Sequence, residues 1–221
     1  MQTVPSLKQV ARRALRRNGI RLPGFLLKEG EAHARKTAAA RPGRVVLDLG
    51  AHIGAASIEF SHHAERVYAF EPHPEIFEEL RRNVRAYPNI VPLRQAANDA
   101  DGMAELFFET PKKHKSFFEG STLVGNKTNL SYAHKFTVET VDLARVIRDL
   151  DTPVGIVKMD VEGLEYRLIN ALLDGGVMER VDIVHVEDHC DRIPGLSDER
   201  DRTLARLEKL GYLDKFDFEW P

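Results

Sequence analysis

Carboxylate and imidazole side chains gather at the ends of two predicted β-strands in the C-terminal half of the chain. Asp160 and Glu162 lie at the end of the first of these strands. His185 and His189 lie at the end of the second. Because ligands of open α/β sheets bind outside the carboxyl ends of the strands, we expect these side chains to converge. Such groups accept and return protons, so the cluster could deprotonate an acceptor hydroxyl group.

Other interpretations apply to the same residues. Asp160 and Glu162 alternate along the chain, so they face opposite ways unless the strand has already ended. A single histidine at a strand end is more often structural than catalytic, and this holds for His185 and His189. A divalent metal is conceivable, because carboxylate oxygens suit magnesium or manganese; its ligands would be Asp160, Glu162, Glu187 and His189. We nevertheless expect a site without a metal.

An acidic residue and two glycines mark the turn between the predicted first strand and the next helix. The turn reads Asp48-Leu49-Gly50-Ala51-His52-Ile53-Gly54. Glycine lets the backbone approach a ligand closely, and a helix N-terminus offers unpaired N–H groups. Dinucleotide-binding turns carry Gly-x-Gly-x-x-Gly after the strand, whereas Asp48 stands here and would repel a pyrophosphate. Its carboxylate suits the ammonium of an amino-acid ligand, such as the methionine part of S-adenosylmethionine.

Two further positions extend this predicted ligand site. Glu71 closes the second strand, where a carboxylate can accept hydrogen bonds from both ribose hydroxyls. This supports an adenosine-containing ligand and leaves NAD and S-adenosylmethionine as alternatives. Asn98 and Asp99 follow the third strand, where a side chain could contact the adenine edge. The alternative for Asp99 is a turn residue without a ligand.

Short β-rich apolar runs alternate with helical patterns from residue 44 onward. This alternation is typical of an α/β fold with a doubly wound, mostly parallel sheet and helices on both faces. The predicted strands span 44–49, 66–70, 90–95, 154–160 and 182–186, with a last strand at 216–220. The predicted helices span 55–63, 74–86, 164–173 and 197–210.

Two regions interrupt the alternation. Residues 1–40 predict a helical extension or cap before a main domain at 41–221. Its first helix sets apolar residues on one face and basic residues on the others: Leu7, Val10, Ala11, Ala14 and Leu15 against Lys8, Arg12, Arg13, Arg16 and Arg17. A solvated helix is the simplest interpretation, and a helix that binds a membrane surface or a partner is the alternative. Residues 101–138 predict strand, loop and strand, and the basic tip at 112–118 is either a substrate lid or a disordered loop.

Size and composition describe a single globular domain. The chain has 221 residues, 43% of them apolar, and a formal charge of −2, so its charge gives no reason to expect nucleic acid as a partner. Cys190 is its single cysteine, which excludes an internal disulfide and fits a reducing compartment. No run approaches the roughly 18 apolar residues of a membrane span, and the N-terminus lacks the apolar core of a signal peptide. We expect a cytoplasmic protein.

Several spaced motifs resemble the FkbM family of methyltransferases over roughly residues 44 to 190. They are the segments 46–54, 70–74, 96–102, 140–143 and 156–165. Within the last, Asp-Val-Glu-Gly-x-Glu at 160–165 is the most specific. The resemblance implies a Rossmann-like class I methyltransferase fold that uses S-adenosylmethionine. It also implies O-methylation of sugars, polyketide-derived compounds or other specialised metabolites.

The resemblance also implies roles for individual residues. It assigns the methionine end of the cofactor to three positions, Asp48, Gly50 and Gly54. Glu71 would bind the ribose, and Asp160 with Glu162 would line the reaction centre. His52 stands where the family usually has Asn, and both side chains can donate a hydrogen bond to the cofactor.

Two other classes of function remain open. One is a dinucleotide-binding oxidoreductase on the same fold, and the other is a non-catalytic cofactor-binding scaffold that works through its basic N-terminal helix. The leading interpretation takes a small molecule as the acceptor. A class I sheet commonly ends in a β-hairpin, whereas the chain after Gly211 has room for one strand. Either that edge is trimmed, or a partner subunit covers it, as in a homo-oligomer.

Overall fold

Nine strands within the described residues form two sheets. The computed structural model describes residues 7–108, 121–125 and 134–220. The strands are β1 (Val45–Leu49), β2 (Arg66–Phe70), β3 (Ile90–Leu93), β4 (Ala96–Asn98), β5 (Gly102–Phe108), β6 (His134–Asp142), β7 (Val154–Met159), β8 (Val181–Val186) and β9 (Phe216–Asp217). The larger sheet is parallel, with the order β3-β2-β1-β7-β8-β9. Every residue of β1 and β7 is buried, because helices cover both faces of these strands.

Helices pack against both faces of the larger sheet. They are α1 (Leu7–Arg17), α2 (Glu29–Ala40), α3 (Ala55–Ser61), α4 (Pro74–Val84), α5 (Leu143–Asp149), α6 (Glu165–Asp174) and α7 (Leu196–Leu210). Leu47 and Val157 point into a core with α5, α6 and α7, and Val46 and Ile156 point into a second core with α2, α3 and α4. The predicted α/β fold with a doubly wound sheet is therefore confirmed. Among the helices that the structure describes, none has the length and apolar character needed to cross a membrane.

The smaller sheet lies where the sequence interrupts the alternation. In this sheet β6 is central, antiparallel to β5 and parallel to β4. The predicted strands at the two ends of the interruption at 101–138 are present as β5 and β6. Thr122 returns to β5 through two backbone hydrogen bonds with Phe107, of 2.8 and 2.9 Å. The basic tip at 112–118, predicted as either a substrate lid or a disordered loop, lies outside the described residues.

Helix α1 packs on the domain through arginines and leaves part of its apolar face exposed. Arg16 is buried and Arg12 half-buried, whereas Val10 is 49% exposed. Both arginines pair with the buried Glu31 of α2, and the Arg16 Nη2 lies 3.0 Å from its Oε2. The prediction of a solvated basic face is therefore wrong for Arg12 and Arg16.

A second buried carboxylate explains this orientation. Glu59 of α3 is fully buried, and its Oε2 lies 2.7 Å from Nη2 of Arg35 on α2. Its Oε1 lies 3.4 Å from Nη2 of Arg16. A carboxylate removed from water must be paired to remain ionised, so the arginines of α1 and α2 turn inward. The N-terminal helices are thus fixed to the sheet by charge as well as by apolar packing.

The chain ends at the β8 edge of the sheet in a shorter strand than predicted. Only Phe216–Asp217 pair with β8, in parallel, whereas the sequence predicted a strand over 216–220. Trp220 instead turns into the core and is buried against Phe60 and His33. The chain after Asp217 thus leaves the sheet and packs the Trp220 ring against residues of α2 and α3.

We expect Glu59→Gln to lower the free energy of unfolding by about 3 kcal/mol or more, because Arg16 and Arg35 would lose a buried countercharge. Glu78→Gln is the matched control, since Glu78 lies in an exposed pair with Arg81 on α4, and its loss should change stability far less. Urea unfolding followed by circular dichroism measures both. Equal losses of unfolding free energy in the two variants would contradict a stabilising role for the ion pairs of Glu59.

Candidate active site

Four adjacent strands of the larger sheet end at one edge, and the predicted site residues follow them. Glu71 follows β2, Gly50 follows β1, Asp160 follows β7 and Glu187 follows β8. The ladder continues one residue past the strands, since the Asp160 N–H donates to the Leu49 carbonyl (3.2 Å). Likewise the Glu187 N–H donates to the Met159 carbonyl (2.8 Å). The backbone thus fixes these side chains relative to one another.

The glycines of the first turn are required by contacts within the protein. Gly50 has φ +72°, and a Cβ at this position would lie 1.8 Å from the Asp160 carbonyl oxygen. Gly54 has φ +83°, and its Cβ would lie 2.6 Å from Cδ1 of Leu80 on α4. Close approach of a ligand was the predicted reason for both glycines. The structure gives another: Gly50 lets the turn touch the Asp160 segment, and Gly54 lets α3 pack on α4.

A buried ammonium group joins this turn to the Asp160 segment. The Lys158 Nζ lies 3.3 Å from Asp48 Oδ1 and 3.2 Å from Asp160 Oδ2, and it donates to the Gly50 carbonyl at 2.8 Å. Burial disfavours the charged form of Lys158, but the carboxylates of Asp160 and Asp48 outweigh it and raise the pKa of the ammonium. Ser57 Oγ donates to the other Asp48 oxygen at 2.5 Å.

The structure gives Asp48 contacts within the protein. Its carboxylate is fully buried, with Oδ1 3.3 Å from the Lys158 Nζ and the other oxygen bonded to Ser57. Asp48 lies behind the turn, where it holds Lys158 and so the Gly50 carbonyl in place. Its predicted contact with a ligand ammonium stays a prediction.

Glu71 presents a nearly buried carboxylate beside the same turn. It accepts hydrogen bonds from the backbone N–H groups of His73 (2.8 Å) and His52 (3.0 Å), one on each oxygen. Burial raises the pKa of the Glu71 carboxyl to about 7, although these two N–H groups and the Lys158 ammonium favour its ionised form. Each carboxylate oxygen retains a lone pair, so both can still accept from a pair of vicinal hydroxyl groups.

Asn98, the last residue of β4, and Asp99, which follows it, have different partners in the structure. Asp99 forms a two-point ion pair with Arg167 of α6, at 2.7 and 2.8 Å. It therefore ties the smaller sheet to α6, and a ligand contact would compete with Arg167. Asn98 differs, because its buried Oδ1 has no hydrogen-bond partner in the described residues. Asn98 is thus the better candidate for a contact with a ligand edge.

His189 lies between two carboxylates in the second half of the site. Its Nδ1 is 2.9 Å from Oε1 of the buried Glu165, and its Nε2 is 3.2 Å from Oε2 of Glu162. Burial opposes the charged form, but Glu165, Glu162 and Asp160 outweigh it and raise the pKa of His189 to about 9. At neutral pH His189 is therefore an imidazolium, which supplies positive charge and cannot accept a proton.

The loop that carries Glu162 is held in an unusual conformation. Glu162 has φ +55°, a region that residues other than glycine rarely adopt. The Glu165 carboxylate accepts the next N–H, from Gly163, at 3.0 Å, and Thr122 Oγ1 donates to the Glu162 carbonyl at 2.7 Å. The sequence predicted that Asp160 and Glu162 face opposite ways unless the strand has already ended. Strand β7 ends at Met159, before both residues, so this alternation does not apply to them.

Two carboxylates of the cluster have pKa values shifted in opposite directions. Burial and the charge of Asp160 raise the pKa of the Glu187 carboxyl. Burial also acts on Asp160, but Lys158 and His189 outweigh it and hold the pKa of that carboxyl below its usual value. Titratable neighbours whose surroundings push their pKa values apart are candidates for separate acid and base roles. Lys158 and His189 favour the ionised form of Asp160, and Glu187 is the candidate base of this cluster.

His185 does not join this cluster. Its Nδ1 lies 2.9 Å from Asp217 Oδ2, and its ring packs edge-on against His33 and close to Trp220. Its side chain points to the face of the sheet that α2 covers. The prediction that it converges with Asp160 is therefore wrong. Successive residues of β8 face opposite sides of the sheet, and because Val184 and Val186 face the core with α5, α6 and α7, His185 faces the α2 side.

The cluster also offers ligands for a cation. Asp160, Glu162 and His189 each present one ligand atom, and these atoms lie within 4.8 Å of one another. His189 could bind a metal ion only after losing its proton, because the imidazolium has no free lone pair. Glu187 Oε1 lies 3.6 Å from the His189 Nε2 and could add a fourth. The expectation that the site works without a metal stays a prediction.

Two residues of the site were not assigned a role from the sequence. Lys158 and Glu165 both lie in the segment 156–165. A lysine inside an apolar strand and a glutamate at the start of an apolar helix are signals, because buried charges must be paired. Which partners they pair with depends on neighbouring strands and was not predictable from their spacing.

We expect Gly43→Ala to lower the free energy of unfolding by about 1–2 kcal/mol, the cost of a left-handed residue with a side chain. Gly50→Ala should cost at least about twice as much. Both glycines have φ +72°, but a Cβ at Gly43 meets nothing within 4 Å, whereas at Gly50 it meets the Asp160 backbone. Thermal unfolding of the pair isolates this contact, and equal losses would contradict it.

Comparison with known proteins agrees with this geometry. A family model described as the methyltransferase FkbM domain matches residues 48–213. The hexuronic acid methyltransferase AglP of Haloferax volcanii is 29% identical over 149 residues, which are 66% of this chain and 56% of that protein. The match therefore spans little more than half the length of that relative.

Solved structures were compared as well. A methyltransferase FkbM from Methylobacillus flagellatus superimposes with a TM-score of 0.47 and 14% identity, over 81% of this chain and 49% of that one. SMU.1697c of Streptococcus mutans, a putative methyltransferase in complex with SAH, gives 0.44 and 10% over 83% and 84%. The family match includes the turn at Gly50, Glu71 and the whole Asp160 cluster, and this chain therefore belongs to the FkbM methyltransferase family.

Proposed function

We propose that this protein transfers the methyl group of S-adenosylmethionine to a hydroxyl group of a small molecule, most simply a sugar. One observation carries the proposal. The Glu71 carboxylate, with two oxygens able to accept from vicinal hydroxyls, and the Asp160 cluster flank the Gly50 turn at one sheet edge. A nucleoside bound at Glu71 would thus lie beside groups that can handle the proton of an acceptor.

The cofactor would use the first half of the site. Glu71 would bind the ribose hydroxyls, and the free Oδ1 of Asn98 would accept from the adenine amino group. The turn from Gly50 to Gly54, with His52, would hold the methionine end. A sulfonium cation is favoured there by the nearby Asp160 carboxylate, whereas a dinucleotide pyrophosphate would be repelled by it.

The second half of the site would assist the displacement. The acceptor oxygen attacks the methyl carbon, the new O–C bond forms as the S–C bond breaks, and S-adenosylhomocysteine leaves. The acceptor's proton passes to the Glu187 carboxylate, whose raised pKa suits a general base. Asp160 and the His189 imidazolium would orient the acceptor hydroxyl, because charged groups fixed by Lys158 and Glu165 reorganise little.

The class of acceptor is supported by one relative. AglP is named a hexuronic acid methyltransferase, and a sugar acid offers hydroxyl groups of the kind this site could deprotonate. A formal charge of −2 gives the protein no general attraction for nucleic acid. We therefore propose a sugar, and specifically a sugar acid, before other hydroxylated metabolites.

We expect Glu71→Gln to weaken binding of S-adenosylmethionine about tenfold or more, because hydrogen bonds to a charged acceptor contribute about 1.5–3 kcal/mol. Since the free carboxyl has a pKa of about 7 and hydroxyl donors favour its ionised form, wild-type affinity should fall as the pH drops from 8 to 6. Titration calorimetry measures both effects.

The control for this experiment is Glu75→Gln, an exposed residue at the start of α4. It should keep wild-type affinity and its pH dependence. Tighter binding of NAD than of S-adenosylmethionine, or unchanged affinity in Glu71→Gln, would overturn the cofactor proposal.

We expect Glu187→Gln to lower kcat by about 10²–10⁴-fold with little change in cofactor affinity. Wild-type kcat should fall at acid pH as Glu187 becomes protonated. Because the pKa of Glu187 is raised, this fall should begin at a higher pH than is usual for a carboxyl group. It should also fall above about pH 9 as His189 loses its proton. Methyl transfer from labelled cofactor to sugar acids gives the pH–rate profile.

Asp191→Asn is the matched control, since Asp191 is an exposed acid four residues further along the chain. Its profile should match the wild type. If Glu187→Gln kept the wild-type rate and acid limb, Glu187 would not be the base. If no hydroxylated acceptor in a broad panel were methylated, a cofactor-binding scaffold would replace the enzyme.

A further inference from the structure

A second group of potential ligands lies on the α2 side of the larger sheet. His33 of α2, His185 of β8 and Asp217 of β9 each present one donor atom, and these three atoms lie within 4.8 Å of one another. The Asp217 Oδ2 is 2.9 Å from Nδ1 of His185 and 3.6 Å from Nε2 of His33. Three elements distant in sequence thus converge on one carboxylate oxygen.

One ring nitrogen that faces Asp217 has no hydrogen-bond partner. The Nε2 of His33 is shielded from solvent and unpaired among the described residues, whereas His185 faces Asp217 through its Nδ1. The side chain of His185 is almost wholly buried. A separation of 3.6 Å is too long for His33 to form a hydrogen bond with Asp217. Buried polar atoms of this kind call for an explanation, such as an ion or a water that they bind.

The chemistry of the group suits a cation. It brings together two imidazoles and one carboxylate, whose donor atoms lie within 4.8 Å of one another. Neutral imidazole nitrogen and carboxylate oxygen are the ligand forms that bind a metal ion. Arg41 is a nearby cation that opposes this binding.

We propose that His33, His185 and Asp217 form a zinc site that is separate from the methyl-transfer site. Zinc is bound at about 2.0–2.1 Å by imidazole nitrogen and carboxylate oxygen. Two ligand atoms whose bonds to the ion form an angle of about 90–120° lie about 2.9–3.6 Å apart. The Asp217 Oδ2 lies 2.9 Å from the His185 Nδ1 and 3.6 Å from the His33 Nε2, at the two ends of this range. Imidazole ligands favour zinc over magnesium or calcium.

The site would have an open side. The side chains of His33 and Asp217 are 28% and 30% exposed, so water can complete the coordination and the ion can enter. Trp220 packs on both histidine rings and closes the other side. The ion would connect the helix α2 to the last strand β9, and its binding energy would add to the stability of the folded chain.

The test is a titration of the full chain, freed of metals by a chelator, with Zn²⁺ alone. We expect one zinc per chain in the tightest binding step. Affinity should fall about a hundredfold or more in His33→Gln and in Asp217→Asn, more than the loss usual for an outer partner of a metal ligand. Zinc should raise the thermal midpoint of the wild type but not of these variants. Both residues are partly exposed, so the variants should fold, and circular dichroism verifies this.

Two controls locate the ion. His63→Gln alters a half-buried histidine outside the group and should keep wild-type zinc affinity. Glu162→Gln alters the other set of ligands, at His189, and should also keep it. Absence of a stoichiometric zinc, unchanged affinity in His33→Gln and Asp217→Asn, or loss in Glu162→Gln instead would each overturn the proposal. None of these readouts depends on methyl transfer, so the two proposals fail separately.

Discussion

The arrangement of the site depends on the ion pairs of the buried Lys158 ammonium. This one group lies within 3.3 Å of the carboxylates of Asp48 and Asp160 and donates to the Gly50 carbonyl. A buried cation with fewer partners would cost several kcal/mol, so the three groups must stay together. The turn after β1 and the segment after β7 therefore form one rigid unit. The Asp160 cluster is therefore held in one position relative to any ligand that binds at the turn.

The second half of the site uses the same physical arrangement, a buried cation held between carboxylates. The His189 imidazolium lies among carboxylates there. Glu165 contacts its Nδ1, and Glu162, in the loop after β7, contacts its Nε2. The unusual backbone of Glu162 is held by hydrogen bonds from both sides of the loop. Strain of this kind persists where neighbouring contacts determine the conformation, as they do here. Charge and backbone geometry are thus arranged before any substrate arrives.

The sequence predicted the sheet and its helices well, because buried parallel strands leave continuous apolar runs that glycine and proline punctuate. It also placed Glu71, Asp160 and Glu162 at one edge, since strand ends can be read directly. It failed where pairing across distant elements decides orientation. No residue near His185 in sequence indicates its contact with Asp217. Likewise, the apolar stripe of α1 does not indicate that Arg16 turns inward to pair with Glu59. Such contacts depend on tertiary structure, which periodicity does not encode.

The buried Glu59 has a consequence for where this protein can be divided. The family match begins at residue 48, yet the countercharges of Glu59 come from Arg16 and Arg35, which precede it. A polypeptide cut just before β1 would keep the carboxylate in an apolar core and lose its cations. Such a fragment would leave a buried carboxylate without its countercharges, which is strongly destabilising. The contacts that stabilise the matched segment therefore include residues of the N-terminal helices.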